Sequence, residues 1–202
     1  MNMLVDRKDA AGRFARPDMK SLLFGANISI NGTISDATLA HFLERLSEVR
    51  NAGDDVIMEL NTTGGDADVA RRIALEIRLF AKHSGRAAYC VGKSNVYSAG
   101  VTIFAAFPLS GRFLTDDAVL LIHERRLEKT ITLNGPMKAN LQIVREQLSL
   151  LETAAKLEDE GFVKLIQGSR LSMGILRERL ESNYYMPARE ALELGLVADI
   201  VA

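Results

Sequence analysis

The chain predicts an α/β protein in which βαβ units stack on a largely parallel sheet. Apolar runs of strand type alternate with segments of helical periodicity from residue 28 to residue 123, the order that parallel sheets require. Cap and turn residues mark the junctions, among them Asn31-Gly32, Ser35-Asp36 and Gly64-Gly65-Asp66. Finally, 202 residues with 48% hydrophobic content can bury one sizeable core.

Residues 1–22 are polar and mixed in charge, and are expected to form a partly ordered arm before a single domain over 23–202. Ile28 to Ile30 gives a short strand. Ser35 and Asp36 start a helix whose Leu39, Phe42, Leu43 and Leu46 recur at helical spacing. Val56 to Leu60 is the next strand, running into Asn61-Thr62-Thr63-Gly64-Gly65. Asp66 then begins a helix with Ala70, Ile73, Ala74, Ile77 and Phe80 on one face. Ala87 to Val91 predicts a buried strand, followed by a polar turn over 92–95 and a helical segment from Ala99 to Phe107. Arg112 to Leu114 and Val119 to His123 supply two more strands.

The chain changes character after His123. Leu127 to Leu133 predicts an extended excursion, and 136–167 one long helix. Met137, Leu141, Val144, Leu148, Leu151 and Ala155 form a narrow apolar seam along it, spaced alternately by four and three. Some thirty residues at roughly 1.5 Å each reach about 45 Å, more than a small domain is wide, so the helix must project. The seam suits a second subunit better than a domain core. Pro187 starts a helix through Leu194, Gly195 ends it, and Leu196 to Val201 closes with a strand.

Composition narrows the function classes. A net charge of −1 suggests neither a nucleic-acid nor an acidic-membrane partner. No run reaches the length of a membrane span, and Met1 to Lys20 lacks a signal-peptide core. The single cysteine, Cys90, lies within an apolar strand and fits a reducing, cytoplasmic setting. Neither phosphate-cradle motif is present, and no cofactor is expected.

Ser98 stands at a strand-to-helix bend, where its hydroxyl can project and the Ala99 amide lies unpaired at a helix start. That is geometry for a nucleophile beside half an oxyanion hole, although the ordinary role of such a serine is a helix cap. Three histidines compete as its base. His41 lies on a polar helix face and His83 at a helix end, whereas His123 ends an apolar strand, where catalytic groups are commonly presented. Gly64-Gly65 allows close backbone approach to a ligand and could add a second amide.

Four landmarks in register, Asn61-Thr62-Thr63-Gly64-Gly65, Tyr97-Ser98-Ala99-Gly100, Leu121-Ile122-His123 and the run Met186 to Leu196, resemble those of the Clp protease proteolytic subunits over residues 26–202. The resemblance implies a ClpP/crotonase-like fold with a protruding strand-helix handle, here about 127–167. It also implies a serine peptidase in stacked rings, joined through the 137–166 helix and served by an AAA+ unfoldase. Carried over by position, Ser98 is the nucleophile, His123 the base, and Gly65 and Ala99 the oxyanion donors. Asn183 stands where the family has its catalytic Asp. An Asn can orient the imidazole but cannot stabilise its cation by charge, and Asp→Asn in a serine protease can cost about 10⁴-fold in turnover. Glu181 is the alternative third member.

Other departures are Glu124-Arg125 after the histidine, Thr62-Thr63 before the glycines, and an N-terminal arm unlike the family's usual start. Three rival readings follow: a weak or inactive ring subunit, a crotonase-type acyl-CoA enzyme, and a Ser98–Lys93 dyad.

Overall fold

The computed structural model describes residues 17–202; most of the arm expected over 1–22 lies outside them. Its described part is a short helix, α1 (Met19–Phe24), capped by Asp18, whose carboxylate accepts from the Ser21 amide at 2.7 Å. The body follows the predicted order: β1 (Ile28–Asn31), α2 (Asp36–Ala52), β2 (Val56–Thr62), α3 (Ala67–His83), β3 (Ala88–Tyr97), α4 (Ala99–Phe104), β4 (Arg112–Thr115) and β5 (Val119–Ile122). Ser35 caps α2 in a capping box with Thr38, and Asp66 caps α3 through two amides. The strands β1-β2-β3-β4 pair in parallel in that order, and β7 (Asp199–Val201) pairs parallel to β4 at the edge.

Beyond the long helix, two elements have no counterpart in the sequence reading. One is the helix α6 (Met173–Leu180); the other is the strand β6 (Tyr184–Pro187), antiparallel to β5. The closing helix α7 spans Ala188–Glu193.

The polar turn expected over 92–95 is instead the middle of β3. Cys90, Val91 and Gly92 pair with β4, whereas Asn95, Val96 and Tyr97 pair with β5. The strand changes partner across Lys93-Ser94, where Ser94 takes a left-handed φ of 49°. Asp117 secures that bend, accepting at 2.6 Å from both the Ser94 and the Thr115 hydroxyls. Lys93 points away from Ser98: its Nζ reaches Glu59 at 2.5 Å and the Leu23 carbonyl at 3.0 Å, which removes the Ser98–Lys93 dyad.

The long helix α5 spans Met137–Ile166, and of its residues Leu165 alone is buried. Met137, Leu141, Val144, Leu148 and Leu151 all lie exposed in the single chain. The stretch 123–135 before it, where an extended excursion is expected over 127–133, pairs with no strand among the described residues. Arg112 ties the helix base to the body. It is 3% exposed, and its guanidinium donates to the carbonyls of Ala105 and Phe107 at 2.8 Å and of Leu165 at 3.0 Å. Those carbonyls terminate α4 and α5, so one cation serves two helix C-termini. Burial pulls its pKa down to about 10. No described helix is long and apolar enough to cross a membrane.

Candidate active site

The C-terminal ends of β2, β3 and β5 converge, which is where open α/β sheets bind ligands. Strand register decides what meets there. Tyr97 is level with Leu121, and the Ser98 amide donates to the Leu121 carbonyl at 2.8 Å. Residues level on β3 and β5 therefore differ by twenty-four in number, and His123, twenty-five beyond Ser98, stands just past the end of β5.

Ser98 bends the chain sharply, with φ 54° and ψ −118°, a strained left-handed conformation for a non-glycine residue. Its side chain makes no capping bond, so the ordinary role of a serine at this position is absent. Ser98 and His123 line one cavity of about 430 Å³ between α3, α4 and α5, but they form no hydrogen bond with each other among the described residues. The ring's Nδ1 lies 2.6 Å from the Glu124 carbonyl. A carbonyl only accepts, so Nδ1 carries the proton and Nε2 is left to accept one.

The glycine pair is built to present an amide. Thr62, 2% exposed, accepts the Gly64 amide on its hydroxyl at 3.0 Å. Ile34 then brackets the turn: its amide donates to the Gly64 carbonyl at 3.0 Å, and its carbonyl accepts from Asp66 at 2.9 Å. Gly64 sits against the serine, since a Cβ there would come within 2.8 Å of Ser98 Cβ. Gly65, at φ 147°, leaves its amide without a backbone acceptor among the described residues. The Ala99 amide, first in α4, is likewise unclaimed. Thr62 and Ile34 are supports that sequence reasoning missed, and the one signal was the Thr62-Thr63 departure before the glycines.

The orienting side of the site is looser. Asn183 lines a second cavity with His123, is exposed, and has φ 38°, a conformation asparagine tolerates better than most residues. Its Oδ1 accepts from Arg126 Nη2 at 3.2 Å and does not engage the imidazole. Glu181, exposed at the end of α6, lines that second cavity without a bond to His123. The segment after the histidine is pinned by Glu158 on α5, which accepts the Arg125 amide, and by Asp68, 3.6 Å from the Arg125 guanidinium. Burial is the main cause of an upward pKa shift at Glu158. His41 and His83 are exposed and do not line either cavity. Burial raises the thiol pKa of Cys90, which is wholly buried, and so keeps it protonated.

The comparisons agree with this architecture. No curated protein matches the chain. Among solved structures, a point mutant of ClpP1 from Listeria monocytogenes superposes with a TM-score of 0.63 at 19% identity, over 86% of this chain and 90% of that one. At that identity the likeness speaks for the fold. The family model for Clp protease matches residues 12–202, nearly the whole length, and the chain therefore belongs to the Clp protease family.

Proposed function

We propose that the chain is a serine endopeptidase subunit that cleaves peptides or unfolded proteins through an acyl-enzyme on Ser98. His123 Nε2 takes the Ser98 proton as Oγ attacks the peptide carbonyl. The Gly65 and Ala99 amides hold the developing oxyanion. His123 then returns the proton to the leaving amine, and water releases the acyl group by the reverse path. The observation that carries this reading is Ser98 itself: a strained, uncapped serine between two unclaimed amides, on the cavity that His123 shares.

Family membership supports assembly into stacked rings fed by a separate unfoldase, in a cytoplasmic setting. The exposed seam of α5 is the surface offered to the second copy. The test is labelling of the assembled protein with a fluorophosphonate, followed by peptide mapping. We expect an adduct on Ser98 that is lost in Ser98→Ala and strongly reduced in His123→Ala. An unlabelled Ser98 in an intact ring sinks the proposal.

One observation favours a second reading. Asn183 is bound to Arg126 rather than to the imidazole, and it carries no charge. A subunit so built could serve as a weak or silent ring member beside an active relative, and the same labelling separates the two.

A further inference from the structure

The cavity at Ser98 carries charge that the reaction itself does not use. On α3, Arg71 and Arg78 lie seven residues apart, two turns on one face, and both line the cavity. Between them stands Ala74, which is buried and leaves the space open. Long helical side chains lean toward the helix N-terminus, so the Arg78 head group is directed back along α3 toward Arg71 and the Ser98 end. Burial, and after it the charge of Arg71, holds the Arg78 pKa below its ordinary value.

Every other lining cation has a carboxylate. Arg71 reaches Asp68 at 3.2 Å, and Arg125 shares that carboxylate at 3.6 Å. Lys164 is 4.0 Å from Glu160, and Arg72 is 2.5 Å from Glu76. Glu158 is occupied by the Arg125 amide. Arg78, half-buried, has no carboxylate partner among the described residues. The lining also includes the apolar Val101, Ala105 and Leu165 beside Thr102, and its carboxylates Asp68, Glu158 and Glu160 are engaged by Arg71, the Arg125 amide and Lys164. A half-desolvated guanidinium that lines the cavity without a carboxylate of its own favours an incoming one.

We propose that the cavity selects an acidic side chain on the residue whose carbonyl Ser98 attacks, with Arg78 as the group that reads it. This rests on the peptidase reading above. The occupant is a substrate side chain because Ser98 lines the same cavity as Arg78.

The test pairs two labelled peptides that differ only by Glu against Gln at that position. Their binding to assembled Ser98→Ala protein is measured by fluorescence anisotropy, so that turnover is not needed. The Glu peptide is expected to bind about tenfold tighter, a factor worth about 1.4 kcal/mol, and the gap should shrink in high salt. Arg78→Gln should erase the difference, while Arg78→Lys, which keeps the charge without the fork, should retain part of it. Equal binding of the two peptides overturns the proposal. So does an Arg78→Gln change that weakens the assembly and leaves the Glu preference intact, which would assign Arg78 to a neighbouring copy. Fluorophosphonate labelling of the wild-type protein reports separately on the peptidase reading. A Glu preference without a Ser98 adduct sinks the peptidase and keeps the pocket; an adduct without a preference does the reverse.

Discussion

The two halves of the candidate site are held by different kinds of structure. On the nucleophile side, Ser98, Gly65 and Ala99 hang on strand ends and a helix start, each fixed by backbone hydrogen bonds and buried supports such as Thr62. On the orienting side, His123 stands one residue beyond β5, and Asn183 sits exposed in a left-handed turn held by a single arginine. A ladder specifies geometry through many cooperative bonds, whereas a loop held by surface side chains exchanges partners at small cost. The difference teaches that the placement of Ser98 and the two amides is built into this fold, while the orientation of the imidazole proposed as its base is left adjustable.

The hardest blow to the rigid half is Gly65→Ala. A Cβ there would lie 2.2 Å from the Ile34 carbonyl oxygen, so the bridge must open and carry the amide with it. We expect Ser98 labelling to slow by about 10²- to 10³-fold, the loss usual for one oxyanion donor. Gly32→Ala is the control. Gly32 also has a positive φ, 105°, but nothing lies within 4 Å of its added carbon, so backbone strain acts without the clash. Equal slowing in both variants would show that the rigid half depends on strain alone and not on this amide.

The rigid half is also the half that could be read from the chain. The strand and helix periods that carry the glycine pair and Ser98 are plain over residues 56–91 and from Ala99 onward, and the serine-to-histidine spacing, which links the two halves, is a property of parallel register. Strand β3 runs past the expected Val91 end to Tyr97, although Lys93, Ser94 and Asn95 have the polarity of a turn. Their polarity instead marks the point where the strand leaves one neighbour for another. The orienting residues can be named from the sequence, but the contacts that hold them cannot, for a physical reason. Asn183 is claimed by Arg126, fifty-seven positions away, and no local pattern encodes a bond between two exposed loops. Arg112 was equally hidden: a lone arginine in a strand reads as an edge residue until the carbonyls of two helix ends are folded around it.

Arg112 joins the halves, since it binds the end of α4, which starts directly after Ser98, and the end of α5, which carries Glu158 against the post-histidine segment. Arg112→Met keeps bulk and leaves three buried carbonyls short of a donor. The expected cost is about 3 kcal/mol, a fall in Tm of about 6–12 °C for a chain of this size. Hydrogen exchange should rise first in the last turns of α5 and around residues 124–126, with the β2–β3–β4 ladder protected longest. Uniform loss of protection would mean that the two halves unfold as one unit and that the contrast drawn between them is only local.

The smallest effect belongs to the position the sequence leaves most open. Asn183→Asp supplies the missing charge, but Arg126 already lies 3.2 Å from that side chain and would take the new carboxylate as an ion pair. The single variant should therefore change peptide turnover by less than about threefold. Adding Arg126→Gln frees the carboxylate to compete with the Glu124 carbonyl, 2.6 Å away, for the imidazole Nδ1 proton. The double variant should then gain about tenfold in kcat, one pKa unit's worth of imidazolium stabilisation. If Asn183→Asp alone gives the full gain, Arg126 is not the latch. If neither variant gains, the Glu124 carbonyl already orients the ring sufficiently, and the third position is structural in this chain.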